Sequence, residues 1–163
     1  MHIIIDSREQ NQLFIEVFKG IKIRTIYNDK YKEHTFEVRK LDEGDYCTPE
    51  LEPHLVIERK SMNDLQGSLC KGHKRFMDEL LRARLKGKRV YIFVEGTKQD
   101  FLTHNYQGGW FRGVKAPQLA KMISTIEEKY QPIFVWCKDR TDMEQKILLT
   151  FDVWNKLREE PKT

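Results

Sequence analysis

The sequence predicts an α/β fold in which a central mixed β-sheet is flanked by α-helices. Apolar runs of strand length alternate along the chain with stretches in which apolar residues recur at helical spacing. There is no internal repeat, low-complexity tract or linker, and 163 residues are within the usual size of one domain. We therefore expect a single domain that spans residues 1–163.

Four strands and one helix are expected before residue 61. Ile3–Asp6 is an apolar run and Leu55–Lys60 begins with one, as buried strands do, whereas Phe36–Leu41 alternates apolar and polar residues like a half-buried strand. A helix is expected near Gln12–Lys19, and the strand Ile21–Tyr27 follows it.

Two helices and a further strand are expected in the middle of the chain. Ser61 and Asp64 have the spacing of an N-cap residue and its N3 partner, which predicts a short helix. A second helix ends at Gly87, and the apolar run Val90–Val94 predicts a buried strand. The apolar stripe of the second helix consists of Phe76, Met77, Leu80, Leu81 and Leu85.

The last part of the chain is expected to form a helix, a strand and a helix. Pro117 fits the first turn of a helix, and Pro132–Trp136 has the composition of a strand. Thr141 and Glu144 have the spacing of a capping box at the start of the last helix. The apolar stripes are Leu119, Met122, Ile123, Ile126 and Tyr130 in the first helix and Met143, Ile147, Phe151 and Trp154 in the second.

The strand Leu55–Lys60 ends in three charged residues, which is unusual for a buried strand. Because side chains alternate across a strand, Glu58 and Lys60 share one face while Arg59 points to the other. A carboxylate and an ammonium group at the end of an apolar strand are costly to desolvate unless they have partners. We therefore expect a polar partner on the face of Glu58 and Lys60.

A second carboxylate is expected beside Glu58. If the strand Phe36–Leu41 pairs with the strand Leu55–Lys60, the turn after the first strand brings Asp45 to Glu58. Two adjacent carboxylates favour a divalent cation, and Mg²⁺ typically binds one or two protein carboxylates together with waters and phosphate oxygens. This pattern predicts phosphodiester cleavage.

These residues resemble a known signature. Gly44-Asp45, Glu58-Arg59-Lys60 and Asp64 have the spacing of the GD…ERKxxxD signature of the XPF-type structure-specific endonucleases, a branch of the PD-(D/E)XK superfamily. The segment Ile3–Glu9 is similar to the apolar strand and D-x-R-E sequence that open this nuclease domain, and Arg75-Phe76 is a weaker match. The resemblance implies a restriction-endonuclease-like core and a metal-dependent DNA endonuclease.

The chain also departs from the family pattern. Asp78 and Glu79 stand on the helix where many members have a glutamine, and His73 stands where an arginine is common. Many members continue into a tandem helix-hairpin-helix domain, and we expect the nuclease domain alone over residues 1–163.

The resemblance and the charges together suggest a role for each site residue. We expect Asp45 and Glu58 to hold Mg²⁺ or Mn²⁺, with Asp6 as a further ligand or as a carboxylate that orients a water. Lys60 would position that water and offset charge on the phosphate. For Asp64, helix capping and catalysis remain equal alternatives. Arg8 is expected to clamp the phosphate, and Arg59 to orient neighbouring elements or contact the DNA backbone.

Basic residues are expected to bind DNA. The segment from Lys71 to Arg89 has eight basic residues and two acidic ones, and a clustered positive surface is typical of proteins that bind polyanions. We expect contacts from Lys71, Lys74 and Arg75. In the loop Asn105–Lys115, Trp110 and Arg112 are candidates for base stacking and phosphate contact. The alternative is that Trp110 and Phe111 fill the core or a subunit contact.

The resemblance also implies partners. The expected substrate is DNA with a junction between duplex and single strand, cut in repair or recombination, and the expected assembly is a homodimer. Its surface would come from Ile133–Trp136 and from the stripe of Ile147, Phe151 and Trp154, and the alternative is that the same residues belong to the core. The alternatives are a non-catalytic DNA-binding scaffold and a related nuclease for four-way junctions or foreign DNA.

The cysteines and the hydropathy pattern indicate the compartment. The three cysteines show neither a disulfide framework nor zinc-ligand spacing, and no targeting or membrane-spanning segment is recognisable. We expect no membrane association and a reducing compartment, either the cytoplasm of a prokaryotic cell or virus-infected host or, in a eukaryote, the nucleus.

Overall fold

A computed structural model describes residues 1–10, 12–14, 34–108 and 114–159. This part of the chain forms six strands and five helices. The strands are β1 (His2–Asp6), β2 (Thr35–Arg39), β3 (Tyr46–Cys47), β4 (Leu55–Ser61), β5 (Arg89–Glu95) and β6 (Ile133–Cys137). The helices are α1 (Met62–Leu69), α2 (His73–Leu85), α3 (Lys98–Thr103), α4 (Ala116–Tyr130) and α5 (Arg140–Glu159).

The six strands form one mixed sheet in the order β2-β1-β3-β4-β5-β6. Strands β1 and β2 are parallel, as are β4, β5 and β6, and β3 runs antiparallel to both of its neighbours. Helices pack on this sheet, so the predicted α/β fold with a central mixed sheet is confirmed.

The predicted pairing of the strand Phe36–Leu41 with β4 is wrong. That segment forms β2, which pairs with β1 at one edge of the sheet, and the two-residue strand β3 lies between β1 and β4. Tyr46 of β3 pairs with Ile57 of β4 and is fully buried. A strand of two residues has no periodicity, so the sequence pattern did not predict it.

The sheet separates two apolar cores. Leu55 and Ile57 belong to the core that includes helix α5, whereas Val56 belongs to the core that includes helices α1, α2 and α4. The alternation predicted for β4 is therefore confirmed. It places Glu58 and Lys60 on the face of α1 and α2, next to Val56.

Helix α2 buries a narrower stripe than expected. Phe76, Met77 and Leu80 are buried as predicted, but Leu81 is 43% exposed and Leu85 is 78% exposed. An α-helix turns by about 100° per residue, so Leu85 lies on the side opposite Phe76. Ala83 takes the next buried position instead. In helix α4, the predicted stripe is confirmed at Leu119, Ile123 and Ile126.

The capping box predicted for Thr141 and Glu144 is wrong. Helix α5 begins one residue earlier, and Asp139 accepts a hydrogen bond from the backbone N–H of Asp142 at 2.8 Å, as an N-cap residue does. The Glu144 carboxylate instead accepts from the backbone N–H of Phe14 at 2.7 Å, and so joins α5 to the segment after β1.

Three other predictions fall on segments that lie wholly or mostly outside the described residues. The strand Ile21–Tyr27 and most of the helix near Gln12–Lys19 lie outside the described residues, and residues 12–14 are not helical. Trp110 and Arg112 also lie outside them.

Among the helices of the described residues, we find none that is both long enough and apolar enough to cross a membrane.

Candidate active site

The turn before β3 delivers Asp45 to the edge of β4. Gly44 has a φ of +81°, and a Cβ atom there would lie 2.8 Å from the Ile57 carbonyl oxygen, so only glycine fits. This close approach lets the backbone N–H of Asp45 donate to Ile57 O at 2.7 Å. The Asp45 carboxylate in turn accepts from the backbone N–H of Arg59 at 2.7 Å. Asp45 is therefore fixed beside Glu58 without the strand pairing that the sequence suggested.

Glu58 and Lys60 contact each other on the predicted common face of β4. The Lys60 Nζ atom donates to Glu58 Oε1 at 3.0 Å, and Lys60 is only 9% exposed. The ammonium group also lies over the ring of Phe76, 5.3 Å from its centroid. A buried lysine thus has one anionic partner and one aromatic partner.

The two carboxylates repel each other. Burial and then the nearby charge of Glu58 raise the pKa of the Asp45 carboxyl to about 8, despite the hydrogen bond from Arg59. A divalent cation between Asp45 and Glu58 would relieve this repulsion, and two carboxylates match the ligand number that Mg²⁺ takes from proteins. The donor set therefore fits Mg²⁺ or Mn²⁺.

Asp6 has a different environment from the metal ligand that we expected. Its carboxylate accepts from the Arg8 side chain at 2.8 and 2.9 Å, from the Arg8 backbone at 2.7 Å and from the Leu41 backbone at 2.6 Å. These four hydrogen bonds occupy the acceptor positions of both oxygens. Burial opposes ionisation, but the bonds from Arg8 and Leu41 lower the pKa of Asp6 to about 2. No group of three acidic, histidine or cysteine side chains in the described part of the chain is arranged to hold a metal.

Arg8 is held at the rim of the site. Asp6 binds its guanidinium group on one side, Nη2 also donates to Leu41 O at 2.7 Å, and 59% of the side chain remains exposed. The pKa of Arg8 is raised, first by the hydrogen bond and charge of Asp6 and further by the charges of Asp45 and Glu58. Arg8 therefore presents a fixed positive charge near the two carboxylates.

Arg59 lies on the opposite face of β4, as predicted. Its side chain is only 7% exposed and forms ion pairs with Glu95 at 3.2 Å and Glu9 at 3.6 Å. Glu95 also approaches Arg140 of α5 at 3.8 Å. Arg59 is thereby placed to orient neighbouring elements. It also borders the cleft described below, so a contact with the DNA backbone stays a prediction.

Asp64 is the N3 residue of helix α1, and Ser61 is the N-cap. The Ser61 hydroxyl accepts from the backbone N–H of Asp64 at 3.1 Å and donates to the Asp64 carboxylate at 2.6 Å. The structural alternative for Asp64 is therefore observed. The carboxylate also borders the cleft described next, so a contact with substrate is still compatible with its position.

The carboxylates and Lys60 line an open cleft of about 1000 Å³. Helix α2 and the turn before it form one wall, where Lys71, Arg75 and Arg82 are exposed. Lys74 is also exposed but does not line the cleft. Acidic residues at the floor and basic residues on the wall suit a phosphodiester chain that crosses a metal site.

Two contacts of the described residues were not predicted from the sequence. Lys86 and Lys88 of the basic segment form ion pairs with Glu43 at 2.8 and 2.9 Å, which hold the turn that precedes Asp45. Glu43 stands directly before the Gly44-Asp45 pair. An acidic residue at this position was the feature of the sequence from which these ion pairs could have been predicted. Tyr106 donates to the buried Gln66 of α1 at 2.6 Å, and no local pattern predicts this contact.

Comparison with known proteins identifies a family and similar folds. A family model of the ERCC4 domain matches residues 5–148. A solved structure of XPF from Aeropyrum pernix is similar, with 17% identity, a TM-score of 0.64 and coverage of 99% of this chain and 63% of that chain. A second structure, of XPF from Aeropyrum pernix in complex with DNA, has 18% identity, a TM-score of 0.67 and coverage of 98% and 68%. A search of curated protein sequences finds no match.

At these identities the structural likeness concerns the fold alone, and this chain spans about two thirds of either relative. The family match supports membership as well as fold, because it extends over residues 5–148, from the end of β1 into α5, and includes Asp45, Glu58 and Lys60. The chain therefore belongs to the ERCC4 domain family.

Proposed function

We propose that the protein is a metal-dependent DNA endonuclease that hydrolyses phosphodiester bonds in branched DNA, such as flaps and forks, during repair or recombination. The observation that carries this proposal is the cluster of Asp45, Glu58 and Lys60 at the floor of a cleft with a basic wall. The solved XPF structure in complex with DNA supports nucleic acid as the partner.

The acid pair and Lys60 have distinct tasks in this proposal. Asp45 and Glu58 would hold a Mg²⁺ or Mn²⁺ ion, which would supply a Lewis acid for the scissile phosphate and would lower the pKa of a water. The Lys60 ammonium, 3.0 Å from Glu58, offsets the negative charge that develops on the phosphate oxygens. Because Lys60 is buried and fixed by its partners, this stabilisation requires little rearrangement during the reaction.

The surrounding residues position the substrate. Arg8 binds a phosphate at the rim of the cleft, and Asp6 fixes the orientation of its guanidinium group through two hydrogen bonds. Lys71 and Arg75 bind neighbouring phosphates along the wall, which fixes the register of the DNA without reading its sequence. Asp6 thereby acts through Arg8 in this proposal, and the metal ligands are reduced to Asp45 and Glu58.

A homodimer is also part of the proposal, with a revised surface. Ile147 and Phe151 are fully buried in the core, so they are unavailable to a partner. Val153 and Leu157 of α5 are 45% and 57% exposed. We propose that these two residues and β6 form the contact between subunits. Light scattering should give twice the chain mass, and a strict monomer at micromolar concentration would contradict the proposal.

Cleavage of labelled DNA tests the enzymatic function directly. Purified protein is incubated with single-stranded, duplex, flap, fork and four-way-junction DNA, each with Mg²⁺, Mn²⁺ or EDTA. We expect cleavage of the flap and fork with metal and none with EDTA. Cleavage of no substrate would favour a DNA-binding scaffold, preference for the four-way junction would favour the alternative nuclease, and equal cleavage of all would exclude structure specificity.

Two substitutions assign the activity to the cluster. Asp45→Asn and Lys60→Ala should each lower the cleavage rate by at least ~100-fold while DNA binding by gel shift changes little. Lys98→Ala, an exposed lysine at the start of α3, is the matched control and should cleave at the original rate. Full activity in either cluster variant would remove that residue from the mechanism.

A further inference from the structure

We propose that Phe76 is a positioning residue for Lys60: the face of its ring retains the ammonium group at the cleft when a cation occupies Glu58. This inference deepens the proposed function and rests on it for the catalytic consequence. The observation behind it is a contact between a buried lysine and a buried aromatic ring at the floor of the cleft.

The geometry is that of a cation–π interaction. Lys60 Nζ lies over the ring of Phe76 at 5.3 Å from the centroid, within the ~6 Å range over which such contacts are attractive. Lys60 is 9% exposed and Phe76 is 4% exposed. Because water is largely excluded from both groups, the attraction is stronger than that of a surface pair.

The ring is needed because the Lys60 ammonium and a divalent cation would compete for the same Glu58 carboxylate. The Lys60 ammonium donates a hydrogen bond to Glu58 Oε1 at 3.0 Å. A divalent cation bound by the same carboxylate weakens that attraction and repels the ammonium directly. The quadrupole of the Phe76 ring is unaffected by this competition, so it holds Lys60 in place while Glu58 binds the cation.

The position of Phe76 on α2 links this contact to the basic wall. Arg75 and Phe76 are consecutive, and successive residues of a helix project about 100° apart. Arg75 is exposed to the cleft whereas Phe76 is buried below Lys60. The same turn of α2 thus offers a cation to the DNA and fixes the lysine at the floor, so that substrate contact and lysine position depend on one helix.

Ring fluorination distinguishes an electronic role from a packing role. Phe76 is replaced by phenylalanine analogues that carry one, two or three ring fluorines, which withdraw charge from the face of the ring with little change in shape. We expect kcat for flap DNA to fall stepwise by roughly tenfold over the series, while KM and the melting temperature change little. The same series at Phe151, buried in the other core, is the control and should leave kcat unchanged.

A measurement without activity separates this inference from the proposed function. In wild-type protein, the ring should shift the NMR signals of the Lys60 ε-methylene protons upfield, and this shift should persist with Mg²⁺ and vanish in Phe76→Leu. If wild-type protein cleaves no DNA, the nuclease proposal fails, while a shift that persists with Mg²⁺ still supports the positioning role. Absence of the shift with Mg²⁺, or a kcat that is unchanged by fluorination in an active enzyme, overturns it.

Discussion

Contacts with the backbone fix the positions of the individual site residues in this protein. The carboxylate of Asp45 reaches the site because Gly44 lets the turn lie against β4, and Asp6 holds Arg8 through hydrogen bonds to both its side chain and its backbone. Each of these residues therefore makes a structural contribution that can be measured apart from catalysis.

Gly44 and Gly87 offer a matched pair of glycines. Both have positive φ values, +81° and +72°, but a Cβ atom at Gly44 would meet Ile57 O at 2.8 Å, whereas one at Gly87 would meet nothing within 4 Å. Both Gly→Ala changes should cost about 1–2 kcal/mol for the left-handed backbone. Gly44→Ala should cost about 1–3 kcal/mol more because the backbone must move. Urea denaturation compares them, and equal losses would contradict the close approach.

Asp6 should contribute stability that depends on pH. Its pKa is about 2 in the folded protein, below the ordinary value of 3.8, so its contribution is present above pH 4 and is lost as the pH falls towards 2. Asp6→Asn should lower the free energy of unfolding at pH 7 by about 2 kcal/mol, and this difference should shrink on acidification. A difference that stays constant from pH 7 to pH 2 would show that Asp6 acts by another means.

At the scale of elements, the sequence predicted most strands and helices because their patterns are local. The alternation in β4 was enough to place Glu58 and Lys60 on one face and Arg59 on the other. The order of the sheet was not predictable in this way, because β3 has two residues and its neighbours are set by distant contacts. The neighbourhood of Asp45 and Glu58 was thus correctly expected, but through a pairing that does not exist.

The start of α5 is a prediction at this scale. Asp139 accepts from the backbone N–H of Asp142, so Asp139→Ala should lower the free energy of unfolding by about 1 kcal/mol. Thr141 lies within the helix, and Thr141→Ala should change it by less than about 0.5 kcal/mol. Thermal denaturation of the two variants decides between the two capping positions. A larger loss in Thr141→Ala would restore the capping box expected from the sequence.

At the scale of the whole molecule, the role of each basic residue depends on its position and its ion pairs as well as on the net charge. The segment from Lys71 to Arg89 has eight basic residues. Lys86 and Lys88 are bound to Glu43, whereas Lys71 and Arg75 border the cleft, where Arg75 also forms an exposed ion pair with Glu79 at 3.6 Å. Composition predicted the positive surface, and only the fold distinguishes the cations that face the cleft from those that hold a turn.

The salt dependence of DNA binding measures this distinction. Each cation that contacts a phosphate contributes ~0.9 to the slope of the logarithm of the binding constant against the logarithm of the salt concentration. The double variant of Lys71→Ala and Arg75→Ala should therefore reduce the slope by about 2. Lys86→Ala is the control, and its slope should remain close to the original. Equal reductions in both proteins would mean that DNA does not follow the cleft.

The central claim is that Asp45 and Glu58 together hold a divalent cation. Without metal, the raised pKa of Asp45, about 8 against an ordinary 3.8, means that stability is lost as the pH rises from about 4 through 8, because the unfolded state gives up its proton first. Asp45→Asn removes this repulsion and keeps an oxygen to accept from Arg59, so the metal-free variant should melt at a higher temperature than wild type at pH 8.

The decisive measurement is the melting temperature with increasing Mg²⁺ at pH 6 and pH 8. Because a cation must displace the Asp45 proton, wild-type protein should gain stability from Mg²⁺, and should gain more at pH 8 than at pH 6. Asp45→Asn should show no gain at either pH. A Mg²⁺-dependent increase in Asp45→Asn equal to that of wild type would contradict the claim.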